Sequence, residues 1–219
     1  MTSQTTQASH LNTLIQSPAL PLSLRTIQPP DAPFFSAILA QDPNERPIDL
    51  PLAGDIIARQ RESANQPTVC GPDGQVVSGP SRVNMVLVLK VDNEPEGLPI
   101  GLGGFGAIKD WERDGKKIRA GDVGVLIDPK YRGKGYAVEA MKMAINWAFS
   151  PVNAGGPQLD LITITTLEEN TAMLNLVKKL GIKGEGITRP VEHEEGKQEV
   201  YYEVKPEDWQ EASAVGILN

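Results

Sequence analysis

Directly after the short apolar run Val123 to Ile127, the chain reads Asp128-Pro129-Lys130-Tyr131-Arg132-Gly133-Lys134-Gly135-Tyr136-Ala137. From there Val138, Met141, Ile145 and Phe149 fall on one helical stripe. This order of strand, basic glycine-bearing loop and amphipathic helix constrains the chain more than any other feature. Two glycines at the helix start let the backbone turn with its N–H groups gathered at one place, and those donors have no intrahelical partner. Added to the positive end of the helix dipole, they make a site for a pyrophosphate without any side-chain charge. Lys130, Arg132 and Lys134 add attraction for an anion. Taken alone, Gly-x-Gly reads more plainly as a basic turn. The spacing also lacks the Gly-Lys-Ser/Thr ending of a P-loop and the third glycine of a Rossmann turn, so a different anion-binding fold is indicated.

The same unit recurs downstream. Leu159 to Thr166 is a β-branched strand, and Thr171 to Leu180 is a helix ended by Gly181. The two strands, joined through a helix, should run parallel. Leu20 to Ile27 reads as a strand stopped before Pro29-Pro30-Asp31, followed by helices over Ala32 to Ala40 and Leu52 to Ala64, with a break at Asp42-Pro43 and Pro47. Val83 to Val91 and Pro99 to Ile108 look like antiparallel neighbours, and Ile187 to Arg189 with Val200 to Val204 form a terminal hairpin around the acidic loop Glu192 to Gly196. Gly101, Gly103, Gly104 and Gly106 lie inside an apparent strand with no helix start after them, so they read as a softened strand. Residues Gln66 to Ser81 hold three prolines and three glycines and read as a long, exposed, mobile connection.

At 219 residues the chain supports one sizeable core. The expected division is a disordered tail over 1–18, one domain over 19–210 and a short tail over 211–219. A net charge of −7 argues against nucleic acid as the main partner, because phosphate binding needs a surplus of Lys and Arg. No stretch approaches the run of about 20 apolar residues that spans a bilayer, and the start lacks a basic segment leading into an apolar one. Cys70 is the sole cysteine, so no intrachain disulfide forms and a cytoplasmic location fits best. No metal site is expected. His10, in the tail, and His193, in the acidic loop, both read as solvent-exposed.

Asp122 to Ala148 resembles the central motif of the GNAT acetyltransferases, Q/R-x-x-G-x-G/A, which lies between that family's fourth strand and third helix. Gly133 and Gly135 match both small positions, and Lys130 stands where the family has Gln or Arg. Leu167-Glu168-Glu169-Asn170 followed by Lys179-Leu180-Gly181-Ile182 resembles the family's strand end, helix-start Asn and closing K-L-G-F. Gly124-Val-Leu-Ile-Asp-Pro129 and Gly135-Tyr-Ala-Val-Glu-Ala140 are most similar to the branch that contains the ribosomal-protein N-terminal acetyltransferases. The resemblance covers about Leu22 to Trp209 and is most diagnostic over Val123 to Gly181.

The fold class implied is mixed α/β (α+β): a central, mostly antiparallel sheet flanked by helices and splayed between the family's fourth and fifth strands. The implied activity is transfer of an acetyl group from acetyl-CoA to a primary amine, on a small molecule or a protein N-terminus, by direct attack in a ternary complex. The chain would act as a monomer or homodimer. The resemblance places acetyl-CoA on Arg132, Gly133, Lys134, Gly135, Tyr136 and Ala137. It brings the backbone of Val125, Leu126 and Ile127 to the thioester, with a mid-strand amide, that of Val125, polarising the carbonyl. Asn170 would touch the pantetheine arm, cap its helix, or do both. Gly124 either permits a bulge that opens the cleft or simply packs. Asp122 is the candidate general base, with Glu139 and Glu168 in reserve. Val177 occupies the position where many relatives carry a Tyr acid. Two other readings keep the same loop: a non-catalytic acyl-CoA-binding module, and a transferase of a longer acyl group.

Overall fold

The computed structural model describes residues 6–41, 47–192 and 194–209. Its centre is an eight-stranded sheet of order β10-β11-β9-β8-β7-β6-β3-β2. The strands are β2 (Leu14–Gln16), β3 (Leu22–Thr26), β6 (Val83–Val91), β7 (Glu94–Arg113), β8 (Lys116–Ile127), β9 (Leu161–Leu167), β10 (Ile187–Pro190) and β11 (Gln198–Val204). Every neighbouring pair is antiparallel except β8 and β9, which run parallel through the helix between them, as the strand-helix-strand pattern predicts. A second, three-stranded sheet joins β1 (Thr6–Ala8), β4 (Thr68–Cys70) and β5 (Val76–Ser78).

Helices cover both faces. β6 reads as a nearly unbroken apolar run because both of its faces are buried. Met85 and Leu87 face α3 (Tyr136–Phe149) and α4 (Thr171–Lys179), within a core that includes Phe105, Met141, Ile145, Ile162 and Leu176. Val86 and Val88 face α1 (Ala32–Leu39) and α2 (Leu50–Ala64), packed with Ile27, Phe35 and Ile57. α2 starts at an Asp49 cap whose carboxylate accepts the Leu52 N–H at 2.9 Å. Trp209 joins the larger core and its Nε1–H donates to Asn146 Oδ1 at 2.6 Å.

Several sequence expectations need correction. Of the tail expected over 1–18, residues 6–18 supply β1 and β2, and His10 is 0% exposed. Its Nε2 meets Thr68 Oγ1 at 2.7 Å, and its ring stands edge-on to Trp147 at 5.3 Å. A run of Thr, Ser and Gln has no apolar periodicity to reveal this, because the backbone does the pairing. Residues 66–81, expected to be an exposed connection, hold β4, β5, buried Thr68 and buried Cys70. β7 and β8 also run well beyond the apolar segments read from sequence, to a two-residue turn at Asp114 (φ 54°) and Gly115 (φ 70°). Asp-Gly with both φ positive is the hairpin turn whose twist suits its strands, and that dipeptide is the signal that locates it. Residues 1–5 and 211–219, His193, and Asp42-Pro43 lie outside the described residues.

Candidate functional site

The parallel pairing of β8 with β9 is short. It runs only from Ala120↔Leu161 to Asp122↔Thr163, after which β9 follows β11 and leaves the last residues of β8. The bulge in this region is not at Gly124, which pairs in register with Gly104. It lies on β7, where Gly106 is the extra residue between Phe105↔Val123 and Ala107↔Asp122.

The backbone past the fork has a definite orientation. The Asp128 N–H donates to Ile100 O at 2.9 Å, on the β7 side. Successive N–H groups alternate along a strand, so Leu126 and Gly124 also face β7, and Val125 and Ile127 face the wedge that β9 has left. The Ile127 carbonyl on that side accepts Arg132 Nε–H at 2.9 Å, which ties the following loop to the strand.

The loop itself is set by two glycines in left-handed conformation, Gly133 (φ 78°) and Gly135 (φ 80°), the latter capping α3. Its first part closes on itself, with Tyr131 N–H to Asp128 O at 2.8 Å and Arg132 N–H to Pro129 O at 3.3 Å. The N–H groups of residues 133–138 make no hydrogen bond among the described residues, and the first tie of the helix is Glu139 N–H to Gly135 O at 3.1 Å. Six donors thus stand together at the positive end of α3.

These features open on one cleft of about 560 Å³, within the usual size range of small-molecule sites. Of the residues singled out in the sequence, Val125, Leu126, Ile127, Arg132, Gly133, Gly135, Tyr136, Ala137 and Asn170 line it. Asn170 also caps α4, its Oδ1 accepting the Met173 N–H at 3.1 Å. Lys134 does not line the cleft: its Nζ lies 5.6 Å from the Tyr131 ring centroid. Glu168 is exposed and outside the lining, where its neighbour Glu169 stands instead. Glu139 is engaged by the Ser17 hydroxyl, and Val177 is buried in the main core. Tyr131 also lines it, as do Ala172, Met173, Asn175, Leu176 and Lys179 of α4; helix spacing alone does not show which turn of α4 looks across at β8.

Asp122 sits at the fork itself. Thr163 Oγ1 donates to its Oδ1 at 2.8 Å, and Thr165 Oγ1 donates to the same oxygen at 3.2 Å. Burial pushes its carboxyl above the usual range. The two hydroxyls and Lys109 work against that shift, and Glu199 adds to it. Neither threonine was singled out from sequence, since their role depends on two strands meeting 41 residues apart.

Comparison with known proteins agrees with this geometry. A curated relative, the uncharacterised N-acetyltransferase YnaD of Bacillus subtilis, is 30% identical over 90 residues, which are 40% of this chain and 50% of the relative. The match thus spans about half of the relative's length. The RimJ structure from Mycobacterium smegmatis, solved in complex with CoA-disulfide, superposes with a TM-score of 0.61 at 18% identity and covers 98% of this chain and 96% of its own. The ribosomal-protein-S5-alanine acetyltransferase of Vibrio fischeri does so with a TM-score of 0.60 at 18% identity, covering 86% and 95%. At these identities the two structures speak for the fold. Residues 22–183 match the model of the acetyltransferase (GNAT) domain, and the chain belongs to that family.

Proposed function

We propose that this chain is an acetyl-CoA-dependent N-acetyltransferase that moves an acetyl group to a primary amine by direct attack in a ternary complex. One observation carries the reading: the cleft is lined by Gly133 and residues 135–138, whose N–H groups at the start of α3 are unbonded, and by Val125 at the fork of β8 and β9. The first set suits a pyrophosphate and the second suits a carbonyl oxygen, and coenzyme A thioesters carry both.

In this reading the thioester supplies an activated acyl carbon and a thiolate leaving group. The N–H groups of residues 133–138 hold the diphosphate, and Asn170 stands beside the connecting arm. Val125 donates its N–H to the oxygen that becomes negative when the amine attacks. Asp122 accepts the proton that the amine loses as the C–N bond forms and the C–S bond breaks. Its raised pKa suits it to that task at neutral pH better than an ordinary carboxylate. Cys70, the one thiol of the chain, stands outside the lining of this cleft, in keeping with direct attack by the amine.

The test is a thermal-shift titration with acetyl-CoA, longer acyl-CoAs and NAD, joined to thiol release across an amine panel. Stabilisation by acetyl-CoA with thiol release on adding an amine is the expected result. Stabilisation without turnover on any amine would mark a binding module. A larger stabilisation by longer acyl-CoAs, with faster release, would mark a different acyl group.

A further inference from the structure

The glycine-rich run of β7 has a second consequence on the sheet face away from α3. Gly104 lies opposite Asn84 on β6 and opposite Gly124 on β8. Two residues along, Val86 and Leu102 pack under α1 and α2. Period-two alternation therefore puts Asn84, Gly104, Gly124 and, two residues from Gly124, Asp122 on that face. Above Gly124 and the bulged Gly106, a Cβ would meet nothing within 4 Å. A strip without side chains thus runs from Asp122 over the open Gly124 to Gly104, which is buried and where a Cβ would run into the Val83 carbonyl, and on toward Asn84.

Helix α2 closes the far end. Its Ser63 hydroxyl bonds the main chain of Arg82, and its Ile57 packs with Val86. Gln60 lies about one turn from each, which puts it over Asn84. Gln60 is 6% exposed, and both Gln60 Oε1 and Asn84 Oδ1 are buried oxygens that accept no hydrogen bond among the described residues. A buried acceptor without a donor is unfavourable, and an incoming N–H group relieves that. The terminal carboxamide torsion is broad and two-fold, so either oxygen can turn to the strip without backbone movement.

The strip also has a length. Two strand spacings and two residues of rise separate the Cα positions of Asn84 and Asp122 by roughly 12 Å, less the reach of the two side chains. A nitrogen reacting at Asp122 is too far away to meet the carboxamides itself, so only an acceptor with a further N–H group several bonds along spans both.

Resting on the transferase reading, we propose that Gln60 and Asn84 are specificity residues that take a second N–H donor of an extended acceptor whose reacting amine lies beside Asp122. A peptide N-terminus and a linear diamine both carry that chemistry.

The experiment compares kcat/KM for a tripeptide, a linear diamine and a short monoamine in the unaltered protein, Gln60→Met, Gln60→Glu and Asn84→Leu. The acetyl-CoA thermal shift reports that each variant is folded. The preference for extended acceptor over monoamine is expected to fall about tenfold in Gln60→Met and Asn84→Leu, through KM, and to be kept in Gln60→Glu, which retains an acceptor oxygen. The arm in which it falls identifies peptide or diamine. Turnover with an unchanged preference in both Gln60→Met and Asn84→Leu overturns the acceptor assignment alone. Absence of turnover on every amine by the unaltered protein overturns the transferase reading and this assignment with it.

Discussion

Thr165 Oγ1 reaches Asp122 Oδ1 at 3.2 Å across the place where β8 and β9 part, two residues beyond the last pair that the strands share. The contact closes the throat of the fork with a hydroxyl donor and fixes one carboxylate oxygen, to which Thr163 also donates at 2.8 Å.

If Asp122 is the base, the rate falls as pH drops through its raised pKa, since only the ionised carboxylate accepts a proton. Removing a donor in Thr165→Val or Thr163→Val raises that pKa further. The acid limb of kcat/KM against pH should then move up, while Thr→Ser at the same positions restores it. Asp122→Asn is expected to lower kcat by about 10²–10⁴-fold. A carboxylate whose folded pKa is raised costs stability above the ordinary Asp range, so the same variant should melt no lower than the unaltered protein at pH 7. An unmoved acid limb in the valine variants would count against this role.

Gly135 holds φ 80° at the cap of α3, with open space where a Cβ would stand. Gly135→Glu adds left-handed strain of about 1–2 kcal/mol and places a carboxylate among the amides. The acetyl-CoA thermal shift should disappear while the far-ultraviolet spectrum stays that of a folded chain. A retained shift would show that the coenzyme is held elsewhere.

His10 is buried, and burial with the nearby Arg119 charge lowers its pKa to about 4. A His depressed in the folded state contributes stability that is present above its unfolded value of 6.5 and is lost as pH falls toward 4. From pH 7 to 5 the loss should be about 2 kcal/mol. Urea denaturation at the two pH values, in the unaltered protein and in His10→Gln, measures it. Equal pH dependence in both would refute the assignment.

Arg119 is buried beneath residues 66–81, with Nη1 donating to Asp110 Oδ1 at 3.0 Å and Nη2 donating to Pro80 O at 2.5 Å. Arg119→Met strands the Pro80 carbonyl and should cost about 2–3 kcal/mol. The 66–81 segment should then become the first site of limited proteolysis. Unchanged cleavage kinetics would show that the segment is held by other contacts.

The local sequence determined the strand-loop-helix unit around Gly133 and Gly135, the parallel strand that follows, and the family. Each rests on short-range physics: apolar periodicity, left-handed glycines and unpaired helix-start amides within about 30 residues. Asp122 was legible as a candidate, and Asn170 as both cap and cleft residue. The tertiary structure alone decided that Thr163 and Thr165 meet Asp122, and that Gly106 and not Gly124 bulges. It alone decided, too, that His10 and Thr68 are buried together. Those outcomes depend on strand register and on elements 41 to 58 residues apart, and a polar side chain carries no mark in sequence of the partner that burial gives it.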